Sequence, residues 1–129
     1  MSHNIPENLK YTKEHEWTLI EGDTVTIGIT DFAQSSLGDI VFVELPEEGA
    51  SLEINSAFGV VESIKSVSDL YSPLSGEVLQ ANGDLEGAPE MLNTDPYQNW
   101  IVKIRMTNTE ELDQLMTPSA YLEHCNSLN

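Results

Sequence analysis

The stretch Ala57-Phe58-Gly59-Val60-Val61-Glu62-Ser63-Ile64-Lys65-Ser66-Val67-Ser68-Asp69-Leu70-Tyr71 decides how this chain folds. It is apolar and β-branched on both sides of a short interruption, the pattern of two paired strands that turn at Lys65. Lys65 is also the only Lys or Arg between Lys13 and Lys103, in a span crowded with carboxylates. A lysine at a hairpin tip is ordinarily a solvated charge. Two features argue for more here. The turn lacks the Asn-Gly or Asp-Gly that supplies positive φ in a two-residue hairpin. The flanking strands are stiff enough to hold the tip rigidly for another protein's active site.

Outward from the hairpin, other short strands follow. Tyr11 to Leu19 mixes aromatic and charged residues and is expected as a first strand, ended by the turn Glu21-Gly22-Asp23. Thr24 to Ile29 alternates, placing Val25, Ile27 and Ile29 on one buried face. Thr30 or Asp31 caps a short helix through Leu37, stopped by Gly38. Ile40 to Leu45 is a strand closed by Pro46-Glu47-Glu48-Gly49, and Ser51 to Ile54 a short edge strand. After Ser72-Pro73-Leu74-Ser75-Gly76, Glu77 to Ala81 resumes as strand before the turn Asn82-Gly83-Asp84.

Ala88 to Asn93 is expected to make a helical turn or two begun by Pro89, and Trp100 to Met106 the last long strand. Glu110 to Met116 and Ala120 to Cys125 read as helical. Gly38-Asp39-Ile40-Val41 is faintly echoed by Gly76-Glu77-Val78-Leu79, a hint of two similar halves. Many short strands with frequent turns predict a mainly β sandwich or barrel trimmed with short helices.

The 129 residues suit one domain, 1–129, with a real core. The formal charge of −17 argues against nucleic acid and anionic lipid and favours partners with basic faces. A single cysteine, Cys125, makes no internal disulfide and fits a reducing compartment. No apolar run approaches the roughly 18 residues of a membrane span. The start, Met1 to Pro6, has neither a signal peptide's apolar core nor a transit peptide's arginines, so a cytoplasmic bacterial-type protein is expected.

Catalytic chemistry finds little support. His3, His15 and His124 lack metal-ligand spacing, and no glycine-rich phosphate loop occurs. His124 and Cys125 are neighbours on a helix and point about 100° apart, so a packed helix is expected there rather than a catalytic pair.

Phe58 to Val78 strongly resembles the lipoyl-attachment segment of the glycine cleavage system H protein family. Tyr11 to Trp17, Ile27 to Gln34, Leu37 to Pro46 and Asn93 to Tyr97 are similar to that family in the same order, so the likeness spans about residues 9 to 124. It departs at Gln98-Asn99, where the family commonly has glycines, and at Ser51 to Ser56, both in expected loops.

The resemblance implies a lipoyl/biotinyl-type flattened β-barrel, or barrel-sandwich hybrid, with peripheral helices and a C-terminal helix. It implies a non-catalytic, monomeric carrier with lipoate in amide linkage on Lys65. The arm would take an aminomethyl group from a pyridoxal-phosphate glycine decarboxylase to a tetrahydrofolate-dependent aminomethyltransferase, and pass reducing equivalents to dihydrolipoamide dehydrogenase. Glu16 and Asp69 match acids of the cleft into which the loaded arm folds, where a carboxylate pairs with its cation. Glu62, three before Lys65, resembles the acid that lipoyl- and octanoyl-transferring enzymes expect near their target. Ile64 and Ser66 beside the lysine, in place of the methionines of biotin carriers, favour lipoyl. Two other functions compete: a relay donating lipoyl groups to 2-oxoacid dehydrogenases, and an acidic adaptor without a cofactor.

Overall fold

In a computed structural model, which describes residues 4–128, the chain forms two antiparallel sheets. His3 lies outside the described residues. The larger sheet runs β1 (Lys10–Tyr11), β2 (Glu16–Glu21), β3 (Thr24–Ile29), β9 (Val102–Met106), β8 (Gly76–Ala81), β5 (Ser51–Leu52). The smaller runs β4 (Ile40–Glu44), β6 (Ala57–Ser63), β7 (Val67–Tyr71). Val25, Ile27 and Ile29 of the first meet Val43, Val61 and Leu70 of the second in one core, so the sheets close as a flattened barrel. The mainly β architecture is as the sequence implied, and Val25, Ile27 and Ile29 do share one core face; the opposite face of β3 is buried too, with Thr26 7% exposed and Gly28 against Trp17.

Helix α1 (Asp31–Leu37) bridges β3 to β4. Of the two candidate caps Thr30 is the one used: its hydroxyl accepts from the Ala33 amide at 3.2 Å. Gly38 ends the helix with φ +79° and ψ −153°, a conformation open to glycine. At the far end α4 (Pro118–Ser127) packs Tyr121 and Cys125 against Tyr11 and Trp17 in a second cluster, so Cys125 is a buried packing residue.

Elsewhere the elements differ from expectation for local reasons. The expected strand 11–19 is split in two. The Thr12 amide bonds to the Glu16 carbonyl at 3.0 Å and the His15 amide to the Thr12 carbonyl at 3.1 Å, a tight loop that needs φ +69° at His15. After Asn82 the chain makes a helical turn, α2 (Asp84–Gly87), whose Leu85 is fully buried. The next, α3 (Met91–Thr94), begins after Pro89 rather than on it. Glu110 to Met116 is replaced by a 3₁₀ helix, Thr109–Gln114, anchored by Glu111, which accepts from the Ser75 amide and hydroxyl at 2.7 and 2.8 Å. The echoed segments lead into different sheets, β4 and β8.

The central hairpin forms as expected, with Glu62 opposite Val67 and residues 63–66 turning. Ile64 and Lys65 do not take positive φ; among the described non-glycine residues only His15 and Asn55 do. Ser63 makes the turn possible. Its hydroxyl accepts from the Lys65 and Ser66 amides at 3.3 and 3.1 Å, while its own amide donates to the Ser66 carbonyl at 2.8 Å. A serine side chain thus closes the turn where Asn-Gly backbone would otherwise do so.

Candidate functional site: a lysine hairpin beside an acid-floored cleft

Lys65 is exposed at the hairpin tip, and its stem lies over Gly38. A Cβ built on Gly38 would sit 3.5 Å from Lys65 Cε and 3.9 Å from Nζ. The hairpin is therefore beside the C-terminal end of α1, where helix carbonyls favour a cation.

From there a cleft of about 450 Å³ opens, walled by Ala33 and Leu37 of α1 and by Val61 and Ser68 of the hairpin, and reaching Glu16 and Asp69. Glu16 is 2% exposed. Thr12 Oγ1 donates to its Oε1 at 2.6 Å, and the Tyr71 amide donates to its Oε2 at 3.2 Å. Burial pushes its carboxyl up to about 8; the Thr12 and Tyr71 hydrogen bonds oppose this, and the Glu14 charge adds to it. Asp69 is exposed on edge strand β7 and borders the same cleft. Residues 53 positions apart in sequence thus share one cavity. A smaller cavity of about 280 Å³ lies against Glu14, Glu16 and Tyr71 as well, so Glu16 borders both.

Glu62 is placed differently. It stands between Phe42 and Val67 in one cross-strand row and does not line the cleft.

Residues 9–128 match the family model described as Glycine cleavage H-protein. The chain belongs to the glycine cleavage H-protein family. It is 56% identical over 119 residues to the glycine cleavage system H protein of Symbiobacterium thermophilum, covering 92% of this chain and 93% of that one. The same protein of Staphylococcus carnosus is 53% identical over 120 residues, covering 92% and 95%. In three dimensions the chain is similar to the crystal structure of a glycine cleavage system H protein from Mycobacterium marinum. The TM-score is 0.85 at 37% identity, over 96% of this chain and 98% of that one. The barrel-sandwich fold expected from the resemblance is the fold observed.

Within this H-protein frame the cleft has a member that sequence reasoning missed. His15 lines it, in the left-handed conformation. Its ring stacks on Phe32 at 4.6 Å and His124 at 5.6 Å, and its Nδ1 shares a proton with the Tyr121 hydroxyl at 2.8 Å. Tyr121 in turn bonds Thr30 Oγ1 at 2.6 Å, joining α4 to the cap of α1. Burial, then the His124 charge, lowers the imidazole to about 4, so His15 is neutral at physiological pH. In the sequence His15 shows no metal-ligand spacing. The available signal was its place beside Glu16 where an aromatic, charged run breaks its alternation.

Proposed function

We propose that this chain is the lipoyl-bearing carrier of the glycine cleavage system, acting as one domain over 1–129, as a monomer, in the cytoplasm. It would be acylated by a lipoyl- or octanoyl-transferring enzyme, perform no catalysis itself, and serve glycine decarboxylase, aminomethyltransferase and dihydrolipoamide dehydrogenase in turn. Membership of the H-protein family supports this. The observation that carries it is the exposed Lys65 on a stiff hairpin beside a cleft that ends at Glu16 and Asp69.

The residues fit a lipoyl group. Gly38 leaves open space over which the Lys65 stem already lies, and the partly buried Ala33 and Leu37 offer an apolar wall to an acyl chain. Amide-linked lipoate would supply a dithiol/disulfide pair that bears the aminomethyl group and undergoes reversible oxidation. The protein's part is to hold and shield. Ser63 fixes the tip, so that the tethered arm stays at high effective concentration for each partner. Glu16, protonated near neutrality when alone, would give up its proton and act as the carboxylate facing a cationic group in the cleft. Asp69 would serve as the second acid at the cleft edge, and the cleft walls would restrict water.

The test is intact mass of the protein made in its native cell, beside Lys65→Arg. The expected result is one lipoyl adduct on the parent and none on the variant. An unmodified parent, made where the transferring enzyme is active, would sink the proposal. Moving the lysine by one place (Lys65→Ser with Ser66→Lys) is expected to abolish the adduct, because the side chain is re-aimed.

A further inference from the structure

Seven large apolar side chains stand exposed among the described residues, and four of them border the lysine hairpin: Val41 at 53%, Phe42 at 46%, Ile64 at 71% and Val67 at 64%. Their grouping follows from the register. Phe42 pairs with Glu62 and Glu62 with Val67, so the three side chains form one row across the small sheet. Neighbouring strands lie about 4.8 Å apart, which separates Phe42 from Val67 by roughly 10 Å with the acid between them. A register irregularity between Ile40 and Phe42 re-aims Val41 to the surface. Ile64, at the tip, is tied by its amide to the residue just before β4, donating to the Asp39 carbonyl at 3.1 Å. The next row down is Glu44, Val60 and Asp69.

The patch thus groups apolar side chains around the base of Lys65, with Glu62 inside it and Asp39, Glu44 and Asp69 on its fringe, and Lys65 is the only cation on these strands and their turn. Such apolar clusters rimmed by charge mark protein-binding surfaces.

We infer that Val41, Phe42, Ile64 and Val67 form a collar that seats the enzyme acylating Lys65, through an apolar socket rimmed by Lys or Arg side chains. This rests on the reading of Lys65 as an acylated residue. Geometry selects this partner over those that work on the far end of the arm. An enzyme reacting at the end of an extended acyl chain acts at an arm's length from Lys65. One that acylates the lysine must bring its own reacting atoms to Nζ, and so must cover the residues around the tip.

In that step Nζ, having passed a proton to a base of the enzyme, attacks the carbonyl carbon of an activated acyl donor, a thioester or an acyl adenylate. The amide C–N bond forms, the C–S or C–O bond to the carrier group breaks, and the leaving thiolate or phosphate takes the electron pair. The remaining extra amine proton goes to solvent, and nothing is oxidised or reduced. The collar takes no part in that chemistry. Its contribution is to KM, and the acidic fringe should make binding weaken with salt.

The experiment uses the unmodified full chain and a purified lipoate-adenylating ligase, with acylation followed by intact mass. Val41→Ser with Phe42→Ser, and separately Ile64→Ser, are expected to raise KM about tenfold or more each, a loss of about 1.4 kcal/mol or more in binding. The maximal rate should stay within about twofold, because Nζ itself is untouched. Melting temperatures near the parent's verify folding, and Ile64→Ser, at the exposed tip, keeps the test valid if the β4 double variant is destabilised. Each variant is then driven to full lipoylation at high ligase concentration and assayed as a substrate of dihydrolipoamide dehydrogenase, where parental kinetics are expected. An unchanged KM for acylation overturns the inference. So does an equal loss with the dehydrogenase, which would make the collar a general contact surface. If the parent itself is not acylated, it is the reading of Lys65 that fails.

Discussion

The Tyr71 amide donates a hydrogen bond to Oε2 of Glu16 at 3.2 Å, so the strand returning from the lysine hairpin is tied to the acid on the cleft floor. One end of that strand leaves the hairpin turn and the other touches the buried carboxyl. The spacing between tip and acid is therefore set by β7 and not by a mobile loop.

Glu16 makes a pH prediction. Its folded value of about 8 lies above its ordinary 4.5, so between these the folded chain holds a proton that the unfolded chain has released. Stability from this site is complete below about 4.5 and is lost as pH rises through about 8. Glu16→Gln cannot ionise and should gain on the parent as pH increases, by up to roughly 5 kcal/mol at pH 9. Thermal melts of both proteins from pH 5 to 9 check this; a parent–variant difference that is flat across the range would refute it.

His15 has the opposite sign. Its folded value of about 4 lies below 6.5, so the unfolded chain binds the extra proton between those values, and stability falls as pH drops from about 6.5 to about 4. NMR of the ring is expected to show His15 still neutral at pH 5.5. A midpoint near 6.5 would mean that the Phe32 and His124 stack does not bury it as described.

Gly38→Ala separates backbone from side-chain effects. The new methyl would meet the Lys65 stem at an ordinary 3.5 Å, so the lysine need not move. The cost is the backbone conformation, φ +79°, which strains any residue with a Cβ. A loss of about 1–3 kcal/mol in urea unfolding is expected, with Lys65 still acylated. Full stability would show that the α1 terminus can relax.

Ser63→Ala removes the acceptor for two tip amides. Ser63 is itself buried, but the two amides belong to exposed residues that water can reach, so the stability cost should be modest, about 0.5–1.5 kcal/mol. The sharper readout is local. Amide exchange at Lys65 and Ser66 should accelerate while exchange in β6 and β7 stays slow, and uniform exchange across the hairpin would argue against a serine-closed turn.

Much of the fold was legible because its elements are set by short-range pattern. Alternation buried Val25, Ile27 and Ile29, Thr30 and Gly38 bounded α1, and two apolar runs flanked Lys65. Where a tertiary contact ruled instead, the pattern was silent. Leu85 is buried by a helical turn after Asn82, where the local composition signalled only a loop. The break at His15 has no turn signature, because a non-glycine residue at φ +69° is held there by Phe32, Tyr121 and His124, from distant parts of the chain.

The site divides in the same way. The position of Lys65 at a hairpin tip was determined by the sequence alone, since hairpin pairing is local and an isolated cation is visible without coordinates. The surroundings of Glu16 were not. The resemblance singles it out with Asp69, but only the tertiary structure removes its water, ties it to the Tyr71 amide, raises its affinity for a proton, and places it in one cleft with Asp69. Burial is a property of the assembled sheets, and desolvation follows from it.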